Sequence, residues 1–290
     1  MSTRPRKPPA EPIVEPIVEP IAEPHAADHV KPYVHDSRHG RALHFSFCEI
    51  QSRMQPGQPH ALDLGYTQTM MGFLLFKPAP SRITMIGLGG GSIAKFCHHH
   101  LPDTQLQAVE INPHVIALRD DFFIPPDDAR LQVINADGAL FVRQAGHACD
   151  VLLVDGFDSQ GQPDDLCSQR FYDDCFERLN DDGLAVINLH LGHVRYNIHL
   201  DRLRCSFGDS KLLVINDGDL SNSIVMASKG GHFDTLRPAG QRTPAQLDGV
   251  AAQQLQSAFS LIRAALKKRR LLRLGTAHPA TADPADRTAD

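Results

Sequence analysis

The sequence predicts an α/β protein whose mostly parallel sheet finishes in an antiparallel hairpin. From Ile83 onward the apolar runs "ITMIGL", "QLQAVEI", "LQVINA", "DVLLVDGF" and "GLAVINLH" alternate with helical stretches such as "NPHVIALRDDF" and "SQRFYDDCFERLN". Alternation of this kind builds a parallel sheet with helices on both faces. A glycine cluster, Gly87, Gly89, Gly90 and Gly91, follows the first run and precedes a helix start. That arrangement brings backbone amides close to a nucleotide or nucleoside. The last two strand candidates, "KLLVIN" and "NSIVMAS", are separated only by "DGDLS", so they are expected to pair antiparallel at one sheet edge.

The elements divide the chain into five stretches. Residues 1–38 hold the repeat "EPIVEPIVEPIAEP", with a proline in every copy; proline blocks helix continuation, so a disordered, extended leader is expected. Residues 39–80 read as a small N-terminal β/helix segment. In "GRALHFSFCEI", Leu43, Phe45 and Phe47 alternate as in a strand, and "GYTQTMMGFLLF" reads as a helix. Residues 81–232 form the Rossmann-like unit, expected to bind a nucleoside and carry the catalytic residues. Its terminal antiparallel hairpin resembles the methyltransferase-type sheet more than the two-halved dinucleotide fold. Residues 233–274 are expected to be a C-terminal helical segment, and residues 275–290 a disordered tail.

Composition excludes several classes. The 290 residues carry a net charge of -5 with a pI near 6.3, which argues against a nucleic-acid backbone binder and suits a cationic substrate. The six cysteines lack paired spacing, so neither a zinc ribbon nor a disulfide framework is expected. No apolar run is long enough for a bilayer span, and "MSTRPRKPPAEP" lacks a signal-peptide core; a soluble, cytoplasmic protein without a membrane partner is expected. "CHHH", residues 97–100, reads as a solvated helix end, because consecutive helical histidines point in different directions. No metal is assigned to it or to His190 and His193. "KKRRLLR", residues 267–273, reads as a helix end or oligomer contact.

In open α/β sheets the ligand lies outside the carboxyl ends of the strands. Glu110 ends the second strand, Asp137 follows the third, and Asp155 and Asp158 follow the fourth. For an adenine nucleoside lying across those ends, Glu110 is placed to accept hydrogen bonds from the ribose hydroxyls and Asp137 from the adenine amino group. Asp155 would face the reacting centre. Taken singly, Glu110 or Asp137 is equally an ordinary helix cap or turn acid.

These blocks carry a resemblance. "MIGLGGGS", "AVEINPHVI", "NADGALFV", "VLLVDGFDSQGQPDDLCSQRFY" and "DDGLAVINL" are similar, in order, to blocks of the spermidine/spermine synthase family, the polyamine aminopropyltransferases, over about Leu43 to Ser228. The resemblance implies that Gly87, Gly89 and Gly91 line a sulfur-bearing nucleoside, with Gln51 and Gly138 beside it. It implies Glu110 on the ribose, Asp137 on the adenine, Asp155 as catalytic acid/base, and Asp155 with Asp158 on the amine. The implied reaction moves an aminopropyl group from the co-substrate decarboxylated S-adenosylmethionine to a diamine such as putrescine, releasing methylthioadenosine. No prosthetic group or metal is implied, since the sulfonium is already a good leaving group. A homo-oligomer is implied.

Two departures stand out. The family's loop acid, which meets the cationic end of the donor, is replaced by Gly90. The segment expected to supply a Tyr and an acid to the diamine pocket reads "LDLGYTQTMMGFLLF", shorter and apolar, with Thr67, Thr69 and Phe73 as poor substitutes. Three other readings stay open: a methyltransferase using S-adenosylmethionine, an NAD-dependent dehydrogenase, and a catalytically silent nucleoside or polyamine binder. The first usually has an acid where this chain has Met85. The second leaves Asp137 and the Asp155 block unexplained.

Overall fold

A computed structural model describes residues 24–46, 50–144, 146–158, 161–216, 221–235, 244 and 247–276. Three short strands, β1 (Tyr33–Ser37), β2 (Gly40–His44) and β3 (Ser52–Met54), form an antiparallel N-terminal sheet. After helix α1 (Gly65–Met71) comes the large sheet. Its strands are β4 (Arg82–Ile86), β5 (Gln105–Glu110), β6 (Leu131–Asn135), β7 (Cys149–Val154), β8 (Leu179–His190), β9 (Leu212–Asn216) and β10 (Asn222–Ser228). The spatial order is β6-β5-β4-β7-β8-β10-β9. Strands β4 to β8 pair in parallel, whereas β10 runs antiparallel to both β8 and β9. This is the expected Rossmann-like, methyltransferase-type sheet with its terminal hairpin.

Period-two alternation explains why the sheet is covered on both faces. On β7, Val151 and Leu153 enter one apolar cluster, while Leu152 and Val154 enter the other. On β8, Leu184 and Val186 divide from Ala185 and Ile187 in the same way. The first cluster gathers α1, α2 (Ser92–His100), α8 (Gly249–Gln254) and α9 (Gln256–Thr276). The second takes α4 (Gly138–Arg143), α5 (Gln169–Arg178) and α6 (Tyr196–Phe207). Full burial of each large aliphatic side chain in these layers contributes about 1.5–3 kcal/mol.

Several elements depart from the sequence reading. Strand β1 lies inside the stretch expected to be a disordered leader, because Val34 and His35 pair with Leu43 and Ala42 of β2. The proline repeat, apart from Pro24, lies outside the described residues, as do Phe47 and residues 277–290. "GYTQTMMGFLLF" is α1 followed by a tighter turn over Gly72–Leu75, not one helix. At Gly72 a Cβ would stand 2.0 Å from Ile262 Cδ1, so a larger residue here requires the Ile262 side chain of α9 to shift. The C-terminal helical segment begins with the short α7 (His232–Thr235), and α8 and α9 are separate helices, with α8 capped by Asp248. Among the described residues no helix is long and apolar enough to cross a membrane.

One cation is embedded in the first cluster. Lys95 of α2 is fully buried, and its Nζ donates to the Phe122 carbonyl at 2.7 Å and to Met54 Sδ at 3.0 Å. Burial pulls its pKa from 10.5 down to about 7. Between those two values the unfolded chain binds more protons than the folded one, so stability rises with pH across that window; below about pH 7 the buried ammonium opposes folding fully. The slope this one proton can supply is at most about 1.4 kcal/mol per pH unit. Urea unfolding at several pH values is expected to show that rise in the wild type and a flatter profile in Lys95→Met.

Candidate active site

A cavity of about 460 Å³ opens at the carboxyl ends of the parallel strands. Its floor is the loop after β4, where Gly87 and Gly89 have φ of +93° and +53°. A Cβ on Gly87 would meet the Asp155 carbonyl oxygen at 2.3 Å. The β4 and β7 ends therefore approach at a distance that only glycine allows, at a backbone angle that favours it. At Gly138 a Cβ would reach Ile86 Cγ2 at 2.3 Å, so a larger residue there requires the Ile86 side chain to shift.

Glu110 organises this floor. Its Oε2 accepts the Leu88 N–H and its Oε1 the Asn112 N–H, both at 2.9 Å. Burial pushes its pKa up, and backbone N–H groups of Asn112, Leu88, Gly89 and Ile111 pull it back. The carboxylate lines the cavity while ordering the glycine loop. Asp137 has a double position as well. Its Oδ1 caps α4 by accepting the Leu140 N–H at 2.9 Å, and the residue stays half-buried on the cavity wall. Here the capping role and the wall position coexist.

Asp155 stands at the centre. Its Oδ1 accepts from Asn188 Nδ2 at 2.9 Å and its Oδ2 from the Tyr66 hydroxyl at 3.2 Å. Burial raises its pKa, against the lowering effect of those two donors. The Tyr66 phenol is pushed well above its ordinary value by burial and by the Asp155 charge. Asn188 Oδ1 is buried without a hydrogen-bond partner among the described residues. Asp158, exposed, lines the wall from the turn that follows.

Sequence reasoning missed Tyr66 and Asn188. In sequence the stretch around Tyr66 reads as shorter and apolar, with no role assigned to the tyrosine, yet the hydroxyl of a half-buried tyrosine seeks a partner, and α1 brings this one to Asp155. Thr67 lines the cavity but its hydroxyl is spent on the Leu64 carbonyl. Thr69 bonds the Gly65 carbonyl, and Phe73 is in the core. Asn188 sits inside the apolar run of β8, where a buried amide was a legible signal.

The other expected residues divide. Gln51 lines the cavity beside Ser52. Gly91 is not among the described lining residues: it is the left-handed N-cap of α2 with φ of +66°, and its Cβ would meet Ile124 at 2.5 Å, so it seats the helix. Gly90 is buried off the wall, and a Cβ there would meet Ser52 Oγ at 2.7 Å and Phe122 Cδ1 at 2.8 Å. An acid at position 90 requires the Ser52 and Phe122 side chains to shift. The wall nevertheless carries five acids, Glu110, Asp137, Asp155, Asp158 and Asp165, and no lysine or arginine among the described lining residues. Such a wall attracts a cationic ligand.

The model of the spermine/spermidine synthase domain matches residues 63–200, from just before α1 into α6. A polyamine aminopropyltransferase of Neisseria meningitidis is 41% identical over 189 residues, covering 64% of this chain and 72% of that protein. One from Chromobacterium violaceum is 37% identical over 221 residues, covering 75% of this chain and 84% of that protein. A probable spermidine synthase from Corynebacterium glutamicum, at 20% identity, shares the fold with a TM-score of 0.64 over 89% of this chain and 95% of that chain. The sheet with its terminal hairpin, and sequence identity that extends through the strands bearing the acids, place this chain in the spermine/spermidine synthase family, the polyamine aminopropyltransferases.

Proposed function

We propose that this transferase moves an aminopropyl group from decarboxylated S-adenosylmethionine to a diamine such as putrescine, releasing methylthioadenosine. The observation that carries the reading is Asp155, held between Tyr66 and Asn188 on the wall of an acid-lined cavity. The nucleoside lies over Gly87 and Gly89 with Gln51 beside it. Its ribose meets Glu110, and its adenine amino group meets the Asp137 oxygen not used for capping.

The acceptor amine must be neutral to attack, while alkylamines are mostly protonated near pH 7. Asp155, with Asp158 toward the opening, holds the ammonium and takes its proton directly or through water. The freed lone pair forms the C–N bond as the C–S bond breaks, and sulfur leaves as a neutral thioether. The raised pKa of Asp155 narrows the gap between carboxylate and ammonium, which eases that transfer. The described cysteines are free thiols, which suits work in a reducing cytoplasm. Exposed Leu261, Leu271 and Leu272 on α9 suit a homo-oligomer.

Purified protein with decarboxylated S-adenosylmethionine and putrescine is expected to release methylthioadenosine, and Asp155→Asn is expected to lower kcat by about 10²–10⁴-fold. Release of S-adenosylhomocysteine from S-adenosylmethionine, with no methylthioadenosine from any of a panel of amines, would replace this reading with methyl transfer. Tyr66→Phe removes a donor that favours the charged carboxylate, so the acid limb of the pH–kcat/KM profile should move to higher pH, with a neutral-pH loss of roughly tenfold or more. Gly90→Asp is expected to lower thermal stability by about 1–3 kcal/mol without lowering the KM for the donor, because the added side chain meets Ser52 and Phe122.

A further inference from the structure

The C-terminal end of α2 brings together side chains that the reaction does not use. The run Cys97–His100 does not act as one group. Cys97 is buried with its thiol toward Met71 Sδ, and His98 is engaged by Asp128 and Arg130. His99 and His100 are different. Their rings meet edge to face with centroids 4.6 Å apart. Asp248, the N-cap of α8, brings its Oδ2 to 3.3 Å from His100 Nδ1. One ligand atom from each of His99, His100 and Asp248 lies within 4.8 Å of the other two.

We propose that His99, His100 and Asp248 form a site for a divalent transition metal of the Zn²⁺ class. Two imidazoles and a carboxylate are a donor set that suits such an ion and leaves a position open for water. Ligand atoms about 2.0–2.1 Å from a tetrahedral ion stand about 3.3 Å apart, so closing the site draws these side chains together by about 1.5 Å at most. A second feature marks the same place. The His60 ring stacks on His99 with centroids 4.2 Å apart, and its Nδ1 is buried without a hydrogen-bond partner among the described residues. His60 thus braces His99 and adds a nitrogen that nothing else uses.

The ligands come from two segments far apart in sequence: α2, which begins at the glycine loop, and α8, which opens the last helical pair. A bound ion would staple that pair to the core. Neither His99 nor Asp248 lines the cavity, so the site is separate from the proposed chemistry.

The test is calorimetric titration of tag-free, metal-stripped full-length protein with ZnCl₂, with MgCl₂ as the control, alongside thermal melts. The expected result is one Zn²⁺ per chain at micromolar concentration, a raised melting temperature and no Mg²⁺ binding. His99→Ala and Asp248→Asn should each weaken Zn²⁺ at least about tenfold. Both are mild changes, since His99 is exposed and asparagine also caps helices. Their metal-free melts and aminopropyl transfer should match the wild type. Absence of Zn²⁺ binding, or unchanged affinity in either variant, would overturn the proposal.

Discussion

The buried Glu110 carboxylate accepts the Leu88 and Asn112 N–H groups, and through them it holds the β4 loop against the beginning of the segment after β5. Leu88 lies between the two left-handed glycines that form the cavity floor. An unpaired carboxylate would be costly at this depth, so the backbone donors are a condition of its burial. The same donors fix where the loop lies. Gly87 then sits against the Asp155 carbonyl, which sets the spacing between the nucleoside floor and the proposed reacting group.

Electrostatic asymmetry follows from this frame. Five acids face a cavity with no lysine or arginine among its described lining residues, and cationic ligands are the chemical class that offsets such a wall. The acids are not equivalent. Asp158 is exposed, whereas Asp155 is half-buried, raised in pKa by desolvation and held by two neutral donors. Solvation suits holding an ammonium, and burial suits accepting a proton from it.

The loop is tightly packed around Gly90. Phe122 presses its ring toward Gly90 from one side and Ser52 its hydroxyl from another, while Lys95 fixes the Phe122 carbonyl from below. This links the N-terminal sheet, through Ser52, to the glycine loop, and gives the small sheet a structural part in the site.

Periodicity and turn chemistry were local, so the sequence alone determined the parallel sheet, the terminal hairpin, the glycine loop and the positions of Glu110, Asp137, Asp155 and Asp158 at strand ends. Strand ends converge by the geometry of the fold, and an acid placed there needs no further information to line the cavity. Tertiary structure alone decided which way individual groups turned. Tyr66 lies 89 residues from Asp155 and meets it only because α1 packs across the sheet. Gly91 reads like its neighbours, but a Cβ there would run into Ile124, and Gly91 is not among the cavity's described lining residues. His99, His100 and Asp248 are brought together by the docking of α8, a contact between segments that no local spacing encodes.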